Sequence, residues 1–107
     1  MLTKDTKLML YELYKEYQAR RNVRVSRSES KYFKSAESVQ ENFFPDWSLE
    51  DVEDTMRELS RNNFLNNVYA DGTIYDCELS DYAISVMENQ KKETFLSVAD
   101  FISKFIP

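Results

Sequence analysis

An Asp-Gly pair at positions 71–72 lies between two runs of strand-like residues, NNVYA before it and TIYDCEL after it. A tight two-residue hairpin turn needs positive φ at both central positions, which Asp tolerates and Gly adopts without steric cost. Such a pair between two strand-like runs is the strongest short-range hairpin signal a sequence can carry. Directly upstream is SLEDVEDTMRELSRNNFL, in which Leu49, Val52, Met56 and Leu59 recur at helical spacing. Ser48 is a good N-cap, Asp51 stands in the capping-box position, and Trp47 and Val52 are placed as a hydrophobic staple. A helix that feeds straight into a hairpin, with room for two more helices before it, sets the outline of a mainly α domain with a small antiparallel sheet.

With 107 residues the chain has room for one core, and 1–107 reads as a single domain. A hydrophobic content of 42% with 14% aromatics is enough to build that core, which argues against disorder. One glycine and two prolines leave few loops. No apolar run approaches the roughly 18 residues of a membrane span. The opening MLTKDTK lacks the apolar stretch of a signal peptide, so a cytoplasmic setting is expected. There is no histidine and a single cysteine, Cys77. That composition excludes an intramolecular disulfide, a Cys/His zinc site and any Ser-His or Cys-His nucleophile. A carboxylate-only metal or acid–base site is left formally open, but the acids read as a solvated surface. No metal, cofactor or small-molecule substrate is expected.

The remaining elements follow from caps and periods. A first helix over 3–21 starts at Thr3 or Asp5 and buries Leu10, Leu13, Tyr14 and Tyr17. In 22–27, Val23 and Val25 alternate with polar residues, which suggests a loop or a short third strand. A second helix is expected over 28–43 from the stripe Tyr32, Ala36, Val39 and Phe43, ended by Pro45. The third helix spans 48–63 and the hairpin 67–79. Ser80 caps a fourth helix over 80–89, with Ala83, Ile84 and Met87 inward. A fifth over 93–105 has Phe95, Val98, Ala99, Ile102 and Ile106 along one stripe, widened by Leu96, Phe101 and Phe105. With strict alternation in the hairpin, Val68, Ala70, Thr73, Tyr75, Cys77 and Leu79 form the core face. Tyr69 and Ile74 then become a partly exposed pair, and Cys77 a small buried apolar residue.

The order helix, helix, helix, hairpin, helix, and the phrasing MRELSRNNFL…ADGTIYDCELSDYAISVMEN, resemble a winged helix-turn-helix domain. In that family a leucine, a short polar stretch and an aromatic often close the helix before the wing. The strand leaving the wing commonly runs into a leucine, a Ser or Thr, and then a helix carrying Ala or Gly, an apolar residue, Leu or Met, and Glu. Leu79, Ser80, Ala83, Val86, Met87 and Glu88 match that pattern. The extra C-terminal amphipathic segment is similar to the small YjcQ-like winged-helix proteins of Gram-positive bacteria and their phages. The resemblance implies a macromolecule-binding fold whose third helix, in DNA-binding members, enters the major groove.

Charge decides between partners. The chain carries a net −5, yet 20–34 holds six cations, Arg20, Arg21, Arg24, Arg27, Lys31 and Lys34, against Glu29 alone. The third helix opens with Glu50, Asp51, Glu53 and Asp54, which stabilise a helix N-terminus but repel phosphate. The wing YADGTIYD has no lysine or arginine. The leading expectation is therefore a non-catalytic regulatory module that works through protein–protein contacts. Tyr69, Ile74, Phe95, Phe101 and Phe105 are its candidate surface, with self-association through the C-terminal helix. The alternative is a DNA-binding regulator using the six cations on phosphates. Lys91, Lys92 and Lys104 are too few for a membrane-surface helix.

Overall fold

The computed structural model describes residues 2–89. Expected features of 93–105, with Phe95, Phe101 and Phe105, lie outside them. Helix α1 (Lys4–Asn22) begins where the Thr3 hydroxyl accepts from the Thr6 amide, and it buries Met9, Leu10, Leu13, Tyr14 and Tyr17. It stops in a left-handed cap: Arg24 takes φ +67, its N–H donates to the Arg21 carbonyl, and the Val25 N–H reaches back to Arg20 O. This two-bond closure usually has glycine at the left-handed position; here arginine occupies it. Residues 22–27 therefore form a helix stop and a turn, not a strand, and Val23 is exposed.

The expected second helix is two helices separated by a strand. One turn, α2 (Arg27–Ser30), is capped by Ser26; then comes β1 (Tyr32–Lys34), and α3 (Ala36–Phe43) is capped by Ser35. Lys34 at φ +64 and the Ser35 cap close off the helical path upstream of Ala36. Phe33, not Tyr32, supplies the buried ring of this stretch. Pro45 ends α3 as its position requires. Gln40 Nε2 donates to Trp47 O at 2.7 Å, bracing the turn into α4 (Leu49–Arg61), which Ser48 caps through the Asp51 amide. Val52, Met56 and Leu59 of α4 are fully buried. A second left-handed cap, at Asn63, sends the chain into the hairpin.

Strands β2 (Leu65–Ala70) and β3 (Thr73–Leu79) are joined by Asp71 and Gly72, both at positive φ as the pair predicts. The sheet order is β1-β3-β2, antiparallel throughout. Helix α5 (Asp81–Glu88) is capped by Ser80, whose hydroxyl also donates to Asn63 O at 2.6 Å. Ala83, Ile84 and Met87 face inward as expected. The whole is mainly helical with a small antiparallel sheet, an α+β arrangement. Among the described residues no helix is long and apolar enough to cross a membrane.

The hairpin departs from strict alternation. Tyr69 pairs with Ile74 and Ala70 with Thr73, but Val68 pairs with Asp76, so Tyr75 is an extra residue on β3. This bulge turns Ile74 inward beside Cys77 and Leu79, leaving it 1% exposed, and puts Tyr75 outward at 63%. Val68 is also outward, at 57%. Five expectations are corrected: Ile74 is core, while Val68, Ala70, Thr73 and Tyr75 are surface. Tyr69 is half exposed, as expected. Ile74→Ala should cost about 2–5 kcal/mol in urea unfolding, and Tyr75→Ala less than about 1 kcal/mol. Equal costs would contradict this assignment of faces.

Candidate interaction surfaces

Three of the six cations of 20–34 are engaged within the fold. Arg20 Nη1 donates to the carbonyls of Tyr32 (2.7 Å), Ser30 (3.2 Å) and Glu29 (3.3 Å), while Nε meets Glu16 at 3.3 Å. Its guanidinium lies 4.6 Å from the Phe33 ring centroid. Arg20 thus collects the C-terminal carbonyls of α2 and the first carbonyl of β1 onto α1, a task suited to a planar, multi-donor side chain. Arg21 Nη1 donates to Val25 O at 3.0 Å, within the helix stop. Lys31 Nζ pairs with Asp81 at 3.1 Å, and its side chain is only 17% exposed. These three hold the fold together.

Arg24, Arg27 and Lys34 are exposed, with no side-chain hydrogen bond or ion pair to the described residues. Two of them border different clefts. Lys34 lines a cleft of about 370 Å³ with Arg20, Phe33, Ser38 and Phe43. Arg27 lines another of about 290 Å³ with Arg21, Tyr14, Tyr17 and Glu88, and Arg24 borders neither. Burial, aided by the Glu88 charge, pushes the Tyr14 phenol above its ordinary value, so it stays neutral.

Helix α4 keeps Glu50, Asp51 and Asp54 exposed at its leading end. Asp54 also pairs with Arg57, at 3.5 Å, and two further acids of the helix are engaged. Glu53 pairs with Arg57 at 3.1 Å with its own side chain 13% exposed. Glu58 accepts from the hydroxyls of Thr3 (2.9 Å) and Thr6, which ties α4 to the start of α1. Arg57 also reaches the wing, donating from Nη2 to Gly72 O at 3.1 Å. The charge division is sharp: 35–89 holds thirteen acids and two cations, Arg57 and Arg61.

The outer face of the sheet is the surface that alternation alone does not reveal. Val68 lies opposite Asp76, Asn66 opposite Glu78, and Glu78 opposite Tyr32 on β1. With Ile74, Cys77 and Leu79 inward, Tyr75, Asp76 and Glu78 are left to this side, next to Val68 and the 40%-exposed Tyr32. Tyr32 Oη donates to the Asp76 carboxylate, and that bond raises the phenol's pKa. No cation occurs anywhere in 65–79. One sequence signal pointed here. Ile74, Cys77 and Leu79 cannot all face inward on a regular strand, because 74 and 77 differ by an odd number. Burying all three requires an extra residue between them.

No family model matches the chain, and neither a characterised protein nor a solved structure does.

Burial, with smaller contributions from Asp76 and Glu78, pushes the Cys77 thiol from an ordinary value near 9 up to about 12. Iodoacetamide should therefore alkylate it at pH 8 at least about a hundredfold more slowly in the folded chain than in urea. Between pH 9 and 12 the folded thiol keeps a proton that the unfolded one releases. Stability should fall as pH rises through that window. Equal alkylation rates would show an accessible thiolate.

Proposed function

We propose that this chain is a winged-helix-type regulatory module of the cytoplasm that binds protein partners and performs no catalysis. The order α1, the one-turn α2, β1, α3, α4 and the β2–β3 hairpin, with β3 between β1 and β2, supports that reading of the fold. Helix α4 then stands in the place of a DNA-reading helix, and its exposed Glu50, Asp51 and Asp54 oppose contact with phosphate. The observation that carries the proposal is the outer sheet face. Val68 and Tyr75 are held open to solvent by the bulge, beside the exposed Tyr32 of β1, on a sheet whose other side is the core. Exposed tyrosines are favoured contact residues in protein interfaces, since each brings large area at low conformational cost. Self-association through 93–105 is a second contact in this reading, and Phe101→Asp or Phe105→Asp then reduces the sedimenting mass to that of one 12.7 kDa chain.

The DNA-binding alternative is favoured by one observation, the three exposed cations Arg24, Arg27 and Lys34. It predicts duplex binding that weakens steeply with salt and is lost in Arg24→Ala/Arg27→Ala. Fluorescence anisotropy with a labelled duplex at low salt decides between the two. The protein-binding reading expects no titratable binding. Salt-dependent binding that the double variant abolishes would overturn it.

A further inference from the structure

The outer sheet face constrains the chemistry of whatever covers it. From the exposed Val68, Tyr75 and Tyr32 and the carboxylates of Asp76 and Glu78 between them, we infer that this face takes a basic segment of a partner protein, with apolar residues alternating between its Lys or Arg side chains. The inference rests on the reading of this face as the module's contact surface. Any partner that buries Val68 and Tyr75 also removes water from Asp76, the cross-strand neighbour of Val68, and from Glu78 two residues on. Asp76 has one partner, the Tyr32 hydroxyl, and Glu78 has none among the described residues. Covering a carboxylate without supplying donors is strongly unfavourable, so an all-apolar partner is disfavoured and an acidic one more so. Cationic side chains resolve this twice over. They neutralise the two carboxylates, and they sit favourably over the exposed tyrosine rings.

The surroundings agree. With no cation in 65–79, nothing on the hairpin competes for the carboxylates. Lys31, the nearest cation before β1, is held by Asp81. Lys34, at the far end of β1, lines the cleft against Phe43 and Ser38 of α3. Asp71 at the turn extends the acidic character along the hairpin. A nucleic acid would meet like charge across the whole face.

The test uses the full 107-residue chain, ¹⁵N-labelled, and three blocked hexapeptides of alternating pattern: Arg-Leu, Ser-Leu and Glu-Leu repeats. The Arg-Leu peptide should shift the amides of Tyr32, Asn66, Val68 and residues 75–78. Its affinity should fall about tenfold or more in Asp76→Asn/Glu78→Gln and in Tyr75→Ala. It should change less than about twofold in Glu50→Gln/Asp54→Asn, which removes the same charge from α4. Unchanged amide positions away from the sheet certify that each variant is folded. Shifts that map to α4, or an equal loss in the α4 variant, would overturn the inference as mere net-charge attraction. Binding of the Ser-Leu or Glu-Leu peptide at this face as tightly as Arg-Leu would overturn the basic partner while leaving the contact surface standing. No shift with any of the three would remove both. Concentration-dependent shifts in the sheet face and in 20–34 of the unliganded protein would reassign the occupant to a second copy of the chain.

Discussion

Val68 pairs with Asp76 and Tyr69 with Ile74, so two adjacent residues of β2 face three of β3, and Tyr75 has no place of its own in the ladder. A bulge of this kind changes which side of the sheet each following residue occupies. Toward the turn it delivers Ile74 to the core, where Ile74, Cys77 and Leu79 join one buried cluster with apolar side chains of α1, α3 and α4. Toward the solvent it leaves Tyr75 and Asp76 side by side. A regular hairpin of the same length would strand either Ile74 outside or Cys77 and Leu79 outside, and each choice would forfeit roughly 1.5–3 kcal/mol per large apolar side chain left in water. The hydrophobic demand of the core thus produces the outward tyrosine, and the proposed contact surface is a by-product of how the core is filled.

The same economy of side chains explains the fate of the basic segment. A 15-residue stretch with six cations invites a nucleic-acid reading. Yet helix α2 is one turn long and β1 three residues, and neither has enough backbone pairing to hold itself. Arg20 supplies the missing partners, with one nitrogen gathering three carbonyls and the guanidinium resting on Phe33. Lys31 does a similar service to the start of α5 through Asp81. At the other end of the domain, Arg57 and Glu58 of α4 fasten the wing turn and the first turn of α1. Long charged side chains stitch the short elements together, and Arg20, Arg21 and Lys31 are committed to that use while Arg24, Arg27 and Lys34 are not.

What could be read from the chain alone follows from how local each signal is. Thr3, Ser48 and Ser80 announce their helices because a cap acts within three residues, and Asp71-Gly72 fixes its turn within two. The split of the expected second helix was not legible. Tyr32, Ala36, Val39 and Phe43 fall on a helical stripe, while strand β1 exists only because β3, more than forty residues on, offers an edge to pair with. The stop at Arg24 was hidden because arginine stands where glycine ordinarily marks a left-handed cap. Of the candidate surface, Tyr69 was legible and Ile74 was placed on the wrong side. The exposure of Tyr75 and Val68 depends on a register shift, and that of Tyr32 on its place in β1, not on composition. Arg20 is legible as a cation, but its carbonyl partners come from two elements, α2 and β1, that only the folded chain brings onto α1.

Deleting Tyr75 tests the central claim directly, because the claim assigns that residue to the surface and gives the core no need of it. Without it, Ile74, Cys77 and Leu79 fall on one side of a regular strand, with Asp76 and Glu78 on the other. Thermal unfolding of the deletion protein, read by far-UV circular dichroism and paired with titration of the Arg-Leu hexapeptide, should show a cooperative transition close to that of the intact chain and peptide binding that is lost. A chain that fails to fold, or one that folds and binds the peptide undiminished, would contradict the account.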